Sequence, residues 1–113
     1  MIGIRVEEKD NTVIIIISGE ITMTTAEDID NASRKYLNSD LQVMALDLKN
    51  VIFIDSFGIS RIIKQSKAFS AKGIEFVLIN LNDNIRQIFK IATFDKLFTI
   101  MTNAEFTGRY FES

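Results

Sequence analysis

The sequence predicts a single α/β domain over residues 1–113, with a mixed and mostly parallel sheet. Strand-like runs alternate with segments in which apolar side chains recur every 3.6 residues, and this alternation indicates crossover connections between parallel strands. Two strands at the start are separated by a short turn, which adds one antiparallel pairing. The 113 residues, 47% of them hydrophobic and 25% charged, suffice for one core but not for two.

The first two strands are predicted to form a hairpin. Residues 4–8 alternate apolar and polar side chains, as a strand with one buried face does. Residues 9–11 follow as a turn, and residues 12–18 form the second strand. Its unbroken β-branched run at residues 13–17 is typical of a strand that is covered on both faces. Residues 19–22 are expected to leave this strand as a loop.

Two helices are predicted on either side of a third strand over residues 43–48. The first helix is expected to begin at a capping box formed by Thr24 and Glu27, and its apolar period continues to about residue 38. The second helix follows the third strand, and Gly73 supplies its C-terminal stop.

The C-terminal part is predicted to add two strands and two helices. The strands cover residues 74–79 and 97–101. Between them, Asn82 or Asp83 is expected to cap the third helix. The last helix is predicted to begin at a second capping box, Thr102 with Glu105, and to extend to Phe111.

The absent residue types exclude most familiar enzyme classes. The sequence contains no His, Cys, Pro or Trp. Without Cys there are no disulfides, thiol nucleophiles or thiolate metal sites. Without His there is no Ser-His-Asp triad and no imidazole ligand. The glycine-rich phosphate and dinucleotide motifs are also missing. We therefore expect no enzyme activity, no metal and no cofactor.

Charge and hydropathy indicate where the protein works. A net charge of −2 is not typical of nucleic-acid binding. Residues 1–5 lack the basic-then-apolar plan of a signal peptide. The longest apolar run, residues 13–17, is far too short to span a bilayer. We expect a cytoplasmic protein with no direct membrane insertion.

The most informative segment is the Asp-Ser-Phe-Gly sequence that joins the third strand to the second helix. Functional groups of α/β sheets gather at such strand ends. Ser56 either caps the helix, as Asp55 also could, or accepts a phosphate, which a helix N-terminus favours. Pattern alone favours the cap. Phe57 either projects outward as a partner anchor or packs inward, and Ser60 lies one turn further along the polar side.

The polar side of the second helix is basic. Its cations are Arg61, Lys64, Lys67 and Lys72. Such a stripe is more typical of a solvated face than of a binding site.

The chain resembles the STAS domain, specifically the stand-alone anti-sigma factor antagonists, over essentially its whole length. The most specific feature is the Asp-Ser-x-Gly motif at residues 55–58, between the third strand and the second helix. Further matching segments are residues 17–21, 46–51, 73–80 and 94–98. The resemblance implies a STAS fold of order β-β-α-β-α-β-α-β-α, with a mixed sheet of about five strands and helices mainly on one side.

The resemblance also implies a regulatory function. In that family, an anti-sigma factor that is also a serine kinase phosphorylates the serine after the Asp, which is Ser56 here. The unmodified protein binds the kinase and frees the sigma factor. Phosphorylation breaks the complex, and a PP2C-type phosphatase resets it. The implied partner-binding residues around Ser56 are Asp55, Phe57, Gly58, Ser60, Gly19, Glu20 and Thr22.

Three positions differ from the usual family pattern. Phe57 stands where a second Ser or Thr is frequent, Ser60 where Gly is usual, and Thr22 where the loop commonly has Asp. These differences keep an alternative open: a constitutive scaffold, such as the small STAS subunit of a lipid-transporting ATPase complex, with Ser56 unmodified. A third and weaker hypothesis is an enzyme with a carboxylate-only active site, for which the sequence shows no paired acids. Nucleotide binding, which the resemblance to STAS domains suggests, is considered with it.

Overall fold

The computed structural model describes residues 2–110, and within them the chain forms five strands and four α-helices. In chain order they are β1 Ile2–Lys9, β2 Thr12–Ile21, α1 Ala26–Ser33, β3 Val43–Ile54, α2 Ser56–Ala71, β4 Glu75–Ile79, α3 Asp83–Ile91, β5 Thr99–Met101 and α4 Asn103–Tyr110. Two 3-10 turns occupy Arg34–Asn38 and Phe94–Lys96. No helix in this part of the chain is long and apolar enough to cross a bilayer.

The sheet has strand order β1-β2-β3-β4-β5, which confirms the mixed sheet expected from the sequence. β1 and β2 pair antiparallel, and each later neighbour pairs parallel. The hairpin turn is formed by Asp10 and Asn11, with φ of 49° and 64°. Both residue types tolerate this left-handed region, so the turn closes with Lys9 opposite Thr12.

The helices lie mainly on one face of the sheet, as expected. Alternation along β4 shows the division: Phe76 and Leu78 belong to the main core, where α1, α2 and α3 pack, whereas Val77 and Ile79 face a smaller cluster. Phe106 of α4 belongs to that smaller cluster. The predicted extension of the last helix to Phe111 lies outside the described residues.

The β-branched run of β2 is fully covered on one face only. Val13, Ile15 and Ile17 are buried in the main core, but Ile14 and Ile16 are half-buried. The prediction of cover on both faces is therefore wrong in part. The reason is that the described part of α4, Asn103–Tyr110, is short and follows the short edge strand β5, so within residues 2–110 it does not cover the whole second face.

The loop predicted for residues 19–22 is largely strand. β2 continues to Ile21 because β3 continues to Ile54 instead of ending at residue 48, and the two strands pair along this extension. Gly19 has a φ of 98° between two register shifts of this pairing, a backbone conformation that glycine adopts without strain. Only Thr22 of the predicted loop lies beyond the strand.

The predicted capping box at the first helix is wrong. The N-cap is Thr25, whose side chain makes no cap bond to the helix. Its hydroxyl instead donates to the Glu20 carbonyl at 2.7 Å and accepts from the Thr22 N–H at 2.8 Å. α1 ends at Ser33 and tightens into a 3-10 turn to Asn38, so only its first part is α-helical.

The other helix ends agree with the sequence. Gly73, at a φ of 75°, follows α2. Asn82 caps α3, because its side-chain oxygen accepts the Ile85 N–H at 2.9 Å. Thr102 and Glu105 form the second capping box, with reciprocal bonds of 2.9 and 3.1 Å.

Candidate functional site

The Asp-Ser-Phe-Gly segment lies where β3 ends and α2 begins, and Asp55 fixes its geometry. The Asp55 N–H donates to the Ile21 carbonyl at 3.1 Å, which ties the segment to the end of β2. The Asp55 carboxylate accepts the Gly58 N–H at 2.7 Å. Asp55 is therefore the N-cap of α2, and Ser56 is the first helical residue.

This arrangement leaves the Ser56 side chain exposed at a positive helix end. The first N–H groups of an α-helix, here those of Ser56 and Phe57, have no acceptor within the helix. Together with the helix dipole they favour an anion at this position. Because Asp55 already supplies the cap, a covalent change at the Ser56 hydroxyl does not remove it.

Gly58 is required by close packing against β2. A Cβ added at this residue would lie 2.5 Å from the Ile21 carbonyl oxygen and 2.8 Å from its Cγ2. Those distances are shorter than side chains tolerate, so only glycine fits while α2 stays in place. Gly58 thus sets the distance between the Ser56 helix end and β2.

Phe57 projects outward, which decides between the two orientations that the sequence leaves open. It is 57% exposed, and Met23, Ile52 and Phe53 are 45–68% exposed. Met23 follows β2, Ile52 and Phe53 lie in the last part of β3, and Phe57 lies in the first turn of α2; we call these four exposed residues the apolar end group. Met23 and Phe57 also line one shallow hollow of about 230 Å³ with Ser60. Exposed aromatic and Met side chains in such a group are typical of protein-binding surfaces.

The remaining predicted site residues lie on α2, on the last part of β2 and directly after β2. Ser60 is exposed one turn further along α2. Glu20 is exposed and lies opposite Phe53, within the strand extension. The Thr22 hydroxyl lies 3.0 Å from that of Thr24. Gly19 is paired with Val51 of β3. Because Val51 precedes Asp55 by four residues, Gly19 lies about 13 Å from the level of Asp55, measured along the strand direction.

The basic side of α2 is not uniformly solvated. The Arg61 guanidinium is ion-paired with the Asp30 carboxylate of α1. The Gln65 amide also donates to Asp30, and Gln65 is only 7% exposed. Sequence reasoning missed both contacts. Their one sequence signal is the four-residue spacing of Arg61 and Gln65, which places them on the same side of a helix.

Because the chain contains no His or Cys, Asp and Glu are the side chains to consider as metal ligands. Among the described residues, no group of three or more of them could hold a metal ion. The Asp55 carboxylate is engaged with the helix backbone. What the arrangement offers is an exposed hydroxyl beside exposed apolar side chains, at the capped N-terminus of α2.

The fold and this site define the class of protein. The family model of the STAS domain matches residues 3–106, so the chain belongs to the STAS domain family. It is 30% identical over 92 residues to the anti-sigma-B factor antagonist of Listeria monocytogenes, and the match covers 80% of this chain and 81% of that protein.

Solved structures show the same fold. A putative anti-sigma factor antagonist from Thermotoga maritima superposes with a TM-score of 0.83 at 23% identity, covering 94% of this chain and 92% of the other. The Bacillus cell-fate determinant SpoIIAA in its phosphorylated form superposes with a TM-score of 0.71 at 18% identity, covering 95% and 98%. The chain is thus similar to anti-sigma factor antagonists in both sequence and fold.

Proposed function

We propose that this protein is an anti-sigma factor antagonist that is switched by phosphorylation of Ser56. The unmodified protein binds an anti-sigma factor serine kinase in the cytoplasm, and the sigma factor is released. The observation that carries the proposal is the exposed Ser56 hydroxyl at the N-terminus of α2, next to the exposed Phe57. In this proposal residues 1–113 act as one domain, and the chain itself is not an enzyme.

The chemical step belongs to the kinase. The Ser56 hydroxyl oxygen forms a bond to the γ-phosphorus of ATP, the bond from that phosphorus to ADP breaks, and the hydroxyl proton leaves to a base of the kinase. A PP2C-type phosphatase reverses the modification by hydrolysis. This chain contributes the position of the hydroxyl, which Asp55 and Gly58 fix through the bonds to Ile21 and to the helix backbone.

Phosphorylation is proposed to break the complex without unfolding the protein. The phosphate brings a charge of about −1.5 to −2. The end of α2 stabilises this charge in the free protein, but a partner packed over the apolar end group would have to desolvate it. Reversing occupancy from 99:1 to 1:99 takes about 5.5 kcal/mol of differential binding.

The proposed docking surface combines the apolar end group with polar neighbours. The polar neighbours are Asp55, Ser60, Glu20 and Thr22, with Gly58 and Gly19 shaping the backbone beneath. Phe57 is the expected anchor, since exposed aromatic side chains carry a large share of binding energy when a partner buries them.

A phosphorylation assay tests the switch. The protein is incubated with the cognate anti-sigma kinase and ATP, and the phosphate is located by mass spectrometry. We expect one phosphate, on Ser56. Ser70→Ala is the matched control, because Ser70 is also an exposed serine of α2 but lies in its last turn, outside the proposed docking surface. This variant should be phosphorylated normally. A phosphate elsewhere, or none, contradicts the proposed switch.

A binding assay tests the docking surface separately. Ser56→Ala should bind the kinase as the parent does, whereas Ser56→Asp should bind poorly. Phe57→Ala should weaken binding while leaving the unfolding free energy nearly unchanged, because the ring is mostly exposed. Normal kinase binding by both Ser56→Asp and Phe57→Ala would place the interface elsewhere.

The exposed apolar end group also suits a second function. As a constitutive scaffold, for example the small STAS subunit of a lipid-transporting ATPase complex, the protein would use this surface with Ser56 unmodified. Co-purification of a membrane ATPase instead of a sigma-regulating kinase would favour the scaffold.

A further inference from the structure

The outer edge of β1 is long and regular. β1 is the first strand of the sheet, and β2 is its one strand neighbour within residues 2–110. It has eight residues, whereas β5 at the opposite edge has three. Its pairing with β2 runs from Ile2 to Lys9 without a register shift, and the chain contains no Pro. Shortness, bulges and Pro are three usual means by which an edge strand avoids pairing with another chain, and β1 uses none of them.

The hairpin determines which backbone groups of β1 point outward. A two-residue turn makes the residues that flank it, Lys9 and Thr12, a hydrogen-bonded pair. Because successive residues of a strand alternate in direction, Ile4, Val6 and Glu8 direct their N–H and C=O groups away from β2. In the described part of the chain, none of the other backbone hydrogen bonds involves these three residues. β1 therefore offers a row of backbone donors and acceptors along its outer edge.

Charged side chains on an edge strand usually oppose pairing with another chain, but those of β1 can favour it. Arg5 and Glu7 lie on the same side of the strand, with 3.6 Å between Arg5 Nη2 and Glu7 Oε1, and their side chains are 74% and 56% exposed. A second β1 strand that runs antiparallel and is centred on Val6 would place Arg5 opposite the partner's Glu7, and Glu7 opposite the partner's Arg5. Centring the two strands on Arg5 or on Glu7 would instead place like charges opposite each other, which is unfavourable.

We propose that two copies of this chain pair through β1, antiparallel and centred on Val6, into one continuous sheet with five strands from each copy. In this register Val6 forms a hydrogen-bonded pair with the partner's Val6, and Ile4 and Glu8 form such pairs with the partner's Glu8 and the partner's Ile4. All the outward backbone groups of these residues are then used. The Arg5 and Glu7 pairs lie between them, at positions where opposite side chains come closest.

The centre of this contact is accessible and is remote from Ser56. Val6 pairs with the core residue Ile15, so its side chain is on the helix-bearing face, but it is 38% exposed. The helices therefore leave room for the two Val6 side chains to meet. Ile15 precedes Ile21, the last residue of β2, by six residues, which places the contact about 20 Å from that strand end. The proposal is independent of phosphorylation at Ser56.

The oligomeric state of the full chain tests the proposal directly. Sedimentation velocity and backbone amide chemical shifts are recorded from about 10 µM to about 1 mM protein. We expect a dimer with a dissociation constant on the order of 100 µM, since one strand edge is a small interface. The shifts that depend on concentration should be largest at the amides of Ile4, Val6 and Glu8, whose N–H groups become bonded.

Exchanging the two charges tests the register. Arg5→Glu alone and Glu7→Arg alone each bring like charges together twice, so each should weaken dimerisation about tenfold or more. A 1:1 mixture of these two variants should pair at least as tightly as the parent, because every Arg again lies opposite a Glu. The double variant Arg5→Glu with Glu7→Arg should also regain the parent's affinity. Lys67→Glu changes the net charge as Arg5→Glu does, but at an exposed residue of α2, and should dimerise nearly as the parent does.

A substitution at the centre tests the edge itself. Val6→Lys places two cations opposite each other and should weaken dimerisation about tenfold or more. It also brings the net charge of −2 closer to zero, so general repulsion between the copies cannot explain that loss. Urea unfolding of each variant identifies any effect of misfolding, which the partly exposed Val6 side chain should not cause.

Three results would overturn the proposal. A protein that stays monomeric at about 1 mM would show that the β1 edge does not self-associate. Equal dimerisation of the parent, Arg5→Glu and Glu7→Arg would exclude the register centred on Val6. Concentration-dependent shifts confined to Phe57 and its neighbours would show that the copies associate through the apolar end group instead.

Discussion

Gly58 of α2 packs directly on Ile21 of β2, so closely that a Cβ on residue 58 would lie 2.5 Å from the Ile21 carbonyl oxygen. Because that oxygen also accepts the Asp55 N–H, the contact cannot relax without disturbing the start of α2. This contact fixes the position of Ser56 relative to the end of β2.

We expect Gly58→Ala to destabilise the protein by about 1–3 kcal/mol, the usual range for overpacking. Gly108→Ala is the control. Gly108 is also helical, but a Cβ there meets nothing within 4 Å, so alanine should stabilise by about 0.5–1 kcal/mol. Urea unfolding measures both. Equal effects of the two substitutions would show that helix propensity, and not the contact with Ile21, decides.

The Asp55 cap should contribute measurably to stability. Asp55→Ala removes the acceptor of the Gly58 N–H and should cost about 0.5–2 kcal/mol in unfolding free energy. Asp55→Asn keeps an oxygen in the same place and should lose much less. If the two variants were equally destabilised, the negative charge and not the hydrogen bond would be responsible.

Charge at Ser56 should affect stability with the sign set by the helix dipole. Ser56→Asp should be neutral or slightly stabilising, because the adjacent Asp55 offsets part of the gain. Ser56→Lys should be destabilising. Each change in the free energy of unfolding should be about 0.3–1 kcal/mol or less.

Ser70 provides the opposite control, because it is exposed in the last turn of α2. There Lys should be favourable and Asp unfavourable. Thermal unfolding at low and high salt measures the four variants. The same order of stability at both helix ends would rule out the dipole as the cause.

The two tyrosines should ionise at unusually high pH. Burial, followed by the hydrogen bond to Glu8 and its charge, raises the pKa of Tyr36 to about 12. Burial, with Glu75 adding to it, raises the pKa of Tyr110 to about 12. The folded state holds both phenols neutral, so this contribution to stability is complete below pH 10 and is lost as pH rises from about 10 towards 12.

The absorbance of the phenolate form measures the ionisation of the tyrosines directly, since the chain has two Tyr and no Trp. In the urea-unfolded protein the midpoint of the tyrosine titration should return to about pH 10. Glu8→Gln should lower the pKa of Tyr36 but leave it above 10, because burial is the larger cause. Glu7→Gln should leave the pKa of both tyrosines unchanged, because Glu7 lies on the other face of β1. A midpoint of about 10 in the folded parent protein would contradict the burial of both phenols.

Local chemistry let the sequence predict many elements of this fold. The hairpin turn, the Asn82 cap, the Gly73 stop and the box of Thr102 with Glu105 each depend on residues within about four positions of one another. The order of strands and helices follows from apolar periodicity, which reports which face of each segment is buried. The same local pattern placed Ser56 at a helix start.

Contacts between distant segments decided the rest. The continuation of β2 through Glu20 depends on pairing with residues of β3 some thirty positions away. That pairing draws Thr25 to the Glu20 carbonyl, and the predicted box of Thr24 with Glu27 does not form.

The exposure of Phe57 illustrates the limit at the site itself. Its direction depends on which residue begins α2, and this is set by the bond from Asp55 to Ile21, a contact between two strand ends. Gln65 is buried because Asp30 of another helix meets it. The sequence by itself determined the class of fold and the candidate serine. Only the tertiary structure decided which side chains surround that serine, because burial and long-range hydrogen bonds exist only once the helices and strands have packed.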